Sequence, residues 1–181
     1  LAVEAFIAGA RQSDKAIYAQ AARQIKRYID TTLWDGDQLF RAISEGVALG
    51  TVSLSDYALT ARAMLAFSRW ANTPRDAELA HQMVLAAWGD FYRSNGWQRE
   101  RNPLLKGSEL HEVLRDEAIP AADAVLIEVS LELAREMNLP RLSEMARSAL
   151  NRFWEQLRAE AFFFPSRIRA LEVAIAAQTG S

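Results

Sequence analysis

Three aspartates stand where carboxylates could carry out acid–base chemistry. Asp56 lies in the first turn of one predicted helix and Asp123 in the first turn of another, while Asp116 lies in the segment before the second helix. Glycoside hydrolysis uses two carboxylates, separated by ~5–5.5 Å for retention of configuration or ~6.5–9.5 Å for inversion. The alternative is a structural role, because the helix dipole stabilises a carboxylate in a first turn by ~0.3–1 kcal/mol without any catalysis.

Three further side chains are candidates for contact with a ligand. Tyr57 could stack on or hydrogen-bond a sugar, or it could pack an inner helix. Trp97 falls in a long predicted loop and not on a helical stripe, so it is either an exposed stacking platform or an anchor that holds the loop down. His111 lies between Glu109 and Glu112 and could act as an acid or base, or it could be a solvated loop residue.

The charge balance excludes a nucleic-acid-binding surface of the usual kind. Lys plus Arg total 21 and Asp plus Glu total 23, which gives a net charge of −2. Without a basic excess there is little to neutralise phosphates. One small basic cluster, formed by Arg99, Arg101 and Lys106, could receive an anionic sugar or could be a solvated loop.

The composition also excludes several kinds of site. The absence of cysteine rules out disulfides, thiolate metal sites and thiol catalysis. Two histidines are too few to favour a histidine-based zinc site, so we expect no metal and no cofactor. No apolar run approaches the ~20 residues of a membrane span, and the first residues do not resemble a signal peptide. We therefore expect a soluble, cytoplasmic protein without membrane contact.

The elements that must position these residues are helices. Glycine and proline are few, 8 and 5, and they fall between apolar stripes of helical spacing. The predicted helices cover about 2–11, 14–33 and 55–70, and four more begin at Pro74, Pro120, Pro140 and after Pro165. No stretch alternates like a strand. The sequence predicts one all-α domain spanning residues 1–181.

The predicted helices form pairs that resemble one another. Asn72-Thr73-Pro74 joins one pair and Asn138-Leu139-Pro140 joins the next, and each second helix carries an alanine in the same register. Measured from Ala22 to Ala80 to Ala146, the repeat is 58 and then 66 residues. Short turns within pairs and long connections between them favour an array of helical hairpins whose long connections meet at one rim. An ordinary helical bundle is the alternative.

Several segments together resemble one family. They are Trp34-Asp35-Gly36, Ser55-Asp56-Tyr57-Ala58, the stretch from Asp116 to Val125, and Phe162-Phe163-Phe164-Pro165-Ser166. Nearly the whole chain resembles the helical C-terminal domain of the thioredoxin-fused family that includes spermatogenesis-associated protein 20. The resemblance implies an (α/α)6 toroid of the six-hairpin glycosidase type, which is also similar to N-acylglucosamine 2-epimerase. It implies a carbohydrate ligand and a thioredoxin-like module in the parent protein.

The chain departs from this family pattern at the stretch that would line the ring centre. The family usually reads Asp-Gly-Ala-x-Pro-Ser-Gly-Asn-Ser, and here Glu117 replaces the glycine. Ala121, Ala122, Asp123 and Ala124 replace the last four polar or small residues. About seven predicted helices are also fewer than the twelve of a complete toroid. We therefore expect the later part of a toroid.

Two functions follow as expectations. One is a carbohydrate-binding toroid domain with weak or no catalysis, whose activity, if any, is that of a glycosidase or sugar epimerase. Its catalytic residues would be Asp56, Asp116 and Asp123. The other is a non-catalytic scaffold or interaction domain that partners a thioredoxin-like module. An incomplete toroid would leave an apolar face open, so self-association is also expected.

Overall fold

Helices dominate the computed structural model of this protein, which describes residues 1–13, 15–94, 96–101, 110–111, 114–152 and 154–179. Within those residues there are eight α-helices and only five short strands, so the all-α prediction is confirmed. The helices are α1 (Ala2–Gln12), α2 (Ala16–Tyr28), α3 (Leu54–Ala71), α4 (Pro74–Phe91), α5 (Ala122–Glu136), α6 (Pro140–Asn151), α7 (Trp154–Ala159) and α8 (Pro165–Thr179). A π-helical turn, Ile29–Leu33, extends α2, and a 3-10 turn, Ala161–Phe163, precedes α8.

The strands lie in the two long connections, where the sequence predicts only loops. β1 (Ala42–Ser44) and β2 (Val47–Leu49) form an antiparallel hairpin after α2. β3 (Tyr92–Arg93), β4 (Gly96–Gln98) and β5 (Leu110–His111) form an antiparallel sheet after α4. Strands of two or three residues are too short for an alternating pattern to identify them.

Two of the helical hairpins close through the same turn. Asn72 ends α3 with φ of 53°, and Asn138 follows α5 with φ of 55°. This left-handed conformation is one that asparagine tolerates and that ends a helix sharply. Pro74 and Pro140 then begin α4 and α6, where the missing N–H has no helical partner to lose. The repeat read from the sequence is therefore a repeat of local structure.

The helices pack in two layers. α1, α3, α5 and α8 form one layer, in which α3 contacts α1 and α5, and α5 contacts α8. α2, α4 and α6 pack against α1, α3 and α5 as the outer members of three hairpins. The central helix α5 is buried along almost its whole length, which places the core between the layers.

Of the first layer, α3, α5 and α8 run in the same direction and are joined by ion pairs. Near the ends of α3 and α5, Arg69 Nε donates to Glu136 Oε1 at 2.8 Å. Arg169 Nε donates to the buried Glu128 at 2.8 Å and so joins α8 to α5. Because the helices are parallel, α3 and α5 begin at the same end of the layer. Both long connections reach that end, where Ser53 bridges to Glu100.

The described helices contain no membrane-spanning segment. None of those in the described ranges is both long and apolar enough to cross a bilayer.

Candidate functional site

A pocket of about 270 Å³ opens where α3 and α5 begin. Its walls come from the starts of these two helices and from both long connections. The lining residues are Arg41, Ser53, Leu54, Ser55, Arg99, Glu100, Leu114, Arg115, Glu117, Ile119, Pro120, Ala121 and Ala122. This is the end at which the sequence predicts the long connections to meet.

Asp56 lies in the first turn of α3 and forms a capping box with Ser53. Its Oδ2 accepts hydrogen bonds from the backbone N–H and the hydroxyl of Ser53, both at 2.8 Å. The Ser53 Oγ in turn accepts from the Asp56 N–H at 3.2 Å. These bonds give partners to N–H groups at the helix end that would otherwise lack them. Asp56 therefore has the structural role that was the alternative to catalysis. Asp56 does not line the pocket, although Ser53 and Ser55 beside it do.

Asp116 does not line the pocket, and its carboxylate hydrogen-bonds to the starts of α5 and α8. Its Oδ1 accepts the Ala121 N–H at 2.7 Å, at the start of α5. Its Oδ2 accepts the Ser166 N–H at 2.9 Å in the first turn of α8, and the Ser166 hydroxyl donates to Oδ1. Both carboxylate oxygens are therefore occupied by donors of the protein itself. This geometry fits a residue that positions α5 and α8.

Asp123 is fully buried and paired with Arg167. The Arg167 Nη1 donates to Asp123 Oδ2 at 2.6 Å, and Nη2 donates to the Ala149 carbonyl at 3.0 Å. The Leu114 N–H approaches the same carboxylate oxygen at 3.4 Å. Burial raises the pKa of Asp123 above its usual range, although the Arg167 charge acts in the opposite direction. The pair joins the start of α5 to that of α8, and Asp123 has no exposed surface.

Tyr57 is buried inside the first layer next to the pocket end. Its hydroxyl oxygen accepts the Leu39 N–H at 2.9 Å, and Arg101 approaches it at 3.3 Å. Its ring meets Phe91 edge-on with 5.5 Å between centroids. Desolvation by burial raises the pKa of the phenol. Tyr57 therefore packs an inner helix, the alternative to contact with a sugar.

Trp97 lies in the core and not on the rim. It stands in β4 with no exposed surface, with ring centroids 5.0 Å from Trp88 and 4.6 Å from Tyr92. Its indole N–H has no hydrogen-bond partner among the residues that the structure describes. The residue anchors the connection through aromatic packing. No face of the ring is open for a sugar to stack upon.

The described part of the chain gives only partial information on His111. Its backbone pairs with Trp97 in the three-stranded sheet. The side chain of His111 lies outside the described residues, as do Lys106, Glu109 and Glu112.

The predicted basic cluster separates into two environments. Arg99 lines the pocket and pairs with Glu117 at 3.3 Å. Arg101 turns away from the pocket, pairs with Asp90 and donates to Gln38 at 3.0 Å. Only one of the two described members of the cluster can therefore meet a ligand in this pocket.

Sequence reasoning missed most of the charged residues of the pocket. Arg41, Glu100, Arg115 and Glu117 line it beside Arg99. All five are exposed and lie in the long connections, so no helical stripe marks them. The sequence feature that could have identified them is their position, since these charged residues lie in the segments that lead into the predicted inner helices.

The described residues offer no metal centre, since none of their His, Asp and Glu side chains form a group of three that could hold an ion. Comparison with known proteins finds no protein-family model that matches the chain and no matching curated protein.

Proposed function

We propose that this domain binds a small carbohydrate in the pocket at the start of α3 and α5, with little or no catalysis of its own. The observation that carries the proposal is the mixed polar lining of the pocket. Arg41 and Arg99 offer donors, Glu100 and Glu117 offer acceptors, and Ser55 offers both. Each sugar hydroxyl both donates and accepts, so a wall of this kind suits a polyhydroxylated ligand.

The size of the pocket favours a small ligand. Its volume of about 270 Å³ lies just below the ~300–1,000 Å³ of sites for drug-sized molecules. A monosaccharide-sized ligand fits this range better than a long oligosaccharide. The position at the start of the inner helices, where two long connections meet, agrees with a binding site built on loops over a rigid scaffold.

Weak or absent catalysis follows from how the aspartates are used. Asp56 and Asp116 accept backbone N–H groups, and Asp123 is buried against Arg167. None of the three presents a free carboxylate to the pocket. If the domain is active as a glycosidase or epimerase, Glu100 and Glu117 are the carboxylic acids among the described residues that line the pocket and could serve as acid and base.

Two further elements of the proposal rest on the sequence resemblance, and a third rests on the composition. The hairpin array would be part of an (α/α)6 toroid, and the parent protein would carry a thioredoxin-like module. A cytoplasmic location agrees with the absence of cysteine.

Isothermal titration calorimetry against a panel of neutral and acidic mono- and disaccharides tests the proposal. At least one sugar is expected to bind saturably with a Kd below about 1 mM. Glu100→Ala, inside the pocket, should weaken that binding about tenfold or more, because it removes acceptors for sugar hydroxyls. Glu144→Ala, an exposed site on α6, is the matched control and should leave the affinity unchanged. If no sugar binds, or both variants behave alike, the proposal is wrong.

A scaffold or interaction role is the second candidate, and an apolar groove in the outer layer favours it. The groove has a volume of about 430 Å³ between α4 and α6. Its lining is His81, Leu85, Leu139, Pro140, Arg141, Leu142 and Met145. Leu85 is 48% exposed there, and exposed apolar surface of this kind is typical of protein contacts.

Sedimentation velocity tests this second candidate with a second copy of the chain as the partner. The sedimentation coefficient is expected to rise with concentration, and Leu85→Lys should abolish the rise by placing a charge in the groove. Leu49→Lys is the control, since Leu49 is equally exposed but lies on β2, outside the groove. A monomer at every concentration would rule out self-association through this surface.

A further inference from the structure

The pocket carries more positive than negative charge, although the whole chain is negative. Arg41, Arg99 and Arg115 contribute three guanidinium groups, and Glu100 and Glu117 contribute two carboxylates. The chain as a whole has a net charge of −2. The local excess of arginine is therefore a property of this site and not of the composition.

The three arginines are not equally engaged. Arg99 pairs with Glu117 at 3.3 Å, and Arg115 pairs with Glu160 at 2.9 Å. Arg41 lines the pocket without an ion-pair partner among the residues that the structure describes. A guanidinium that faces a cavity without a carboxylate partner can offer two parallel N–H donors to a ligand anion.

The stem of Arg41 lies beside the end of the β1–β2 hairpin. Gly50, which follows β2, has φ of +74°, and a Cβ there would lie 3.3 Å from the Arg41 Cδ. The backbone at Gly50 therefore packs closely against the aliphatic part of this arginine.

The start of α5 forms part of the wall of the same pocket. Its N-cap is Ala121, whose methyl group cannot accept a hydrogen bond, so this helix start has no side-chain cap. Ala122, the first residue of the helix, also lines the pocket. The helix dipole at such a start favours an anion, an effect that the carboxylates of Asp116 and Asp123 beside it reduce.

We propose that the pocket selects carbohydrates that carry a carboxylate or a phosphate, and that Arg41 is the main contact of that anionic group. Arg99 and Arg115 supply additional positive charge around it, while Glu100 remains available to accept hydrogen bonds from hydroxyls of the sugar. This inference rests on the proposed carbohydrate function and adds the chemical class of the ligand.

Calorimetry with four probes on the full chain tests the inference: D-glucose, D-glucuronate, D-glucose 6-phosphate and inorganic phosphate. At least one acidic sugar is expected to bind about tenfold or more tightly than glucose, since a charge-assisted pair is stronger than a neutral hydrogen bond. If D-glucuronate binds more tightly than D-glucose 6-phosphate, the preferred anion is a carboxylate. If D-glucose 6-phosphate binds more tightly, it is a phosphate. Its affinity should fall as salt is raised.

Arg41→Gln should weaken the binding of that sugar about tenfold or more. Arg41 is exposed, so the variant should fold normally, as far-ultraviolet circular dichroism can verify. Arg75→Gln is the matched control, because Arg75 is exposed in the first turn of α4, outside the pocket, and should leave the affinity unchanged.

The other outcomes separate the two proposals. Equal affinity for glucose, with no effect of Arg41→Gln, would overturn the anionic inference and leave the carbohydrate function in place. Binding of inorganic phosphate that depends on Arg41, without binding of any sugar, would support the anion site and overturn the carbohydrate function. Absence of binding by all four probes would overturn the anionic inference, and absence of binding across the wider sugar panel would overturn the carbohydrate function as well.

Discussion

Arg167→Gln is expected to lower the free energy of unfolding by ~3–5 kcal/mol at pH 7, the usual cost of breaking a buried ion pair. The substitution removes the guanidinium that faces the fully buried Asp123 at 2.6 Å. The carboxylate is then left without its charged partner. Urea denaturation followed by circular dichroism measures the change.

The matched control for this substitution is Arg158→Gln. Arg158 pairs with Glu155 at 3.7 Å on the exposed side of α7, so the control should change stability by less than ~1 kcal/mol. The double variant Asp123→Leu, Arg167→Met should recover much of the loss, because replacing both charges by apolar groups leaves no isolated charge. A loss below about 1 kcal/mol in Arg167→Gln would contradict this account of the pair.

The same variant should respond to pH in a defined direction. Burial already raises the pKa of Asp123, and removal of Arg167 removes an effect that lowers it. A group whose pKa is raised in the folded state binds a proton more readily there, so protonation stabilises the fold as pH falls. The stability difference between Arg167→Gln and the parent should therefore be smaller at pH 4.5 than at pH 7. An equal difference at both values would contradict a charge-based cost.

Trp97→Ala is expected to lower the free energy of unfolding by ~3–5 kcal/mol, because it empties a fully buried aromatic site. Trp97→Phe should keep much of the stability, since the indole N–H that it removes has no partner in the described part of the chain. Trp154→Ala is the control, because Trp154 is 45% exposed and should cost far less. The same urea denaturation measures all three variants.

The Trp97 variants also separate a core residue from a stacking platform. If Trp97 were an exposed platform, Trp97→Ala would leave the free energy of unfolding nearly unchanged and would abolish sugar binding. The buried position predicts the opposite for the stability of Trp97→Ala, which should fall by the amount given above. Trp97→Phe should fold and should bind sugar as the parent does.

Much of the helical framework could be predicted from the sequence because its signals are local. Thr73-Pro74 and Leu139-Pro140 mark the starts of α4 and α6, and the asparagines before them adopt the left-handed conformation that ends a helix. The strands could not be predicted, since each has only two or three residues and depends on pairing with distant segments.

The candidate site could be predicted only in part. The sequence indicates the end of the molecule at which the pocket lies, because Asp56 and Asp116 flank the starts of α3 and α5. It does not indicate that Asp123 faces Arg167, 44 residues away, since no local pattern links them. Nor does it indicate that Arg41 reaches the pocket, because the contact with Gly50 forms only in the folded hairpin.

An amide-resolved NMR titration with the sugar panel tests the central claim most directly, because it locates binding as well as detecting it. The account predicts saturable shifts at the amides of Ser55, Arg99 and Ala122, which line the pocket, and unchanged signals at Leu85 and Leu142 in the outer groove. If every sugar leaves the pocket amides unchanged, or if the saturable shifts are confined to the outer groove, the proposed carbohydrate site is wrong.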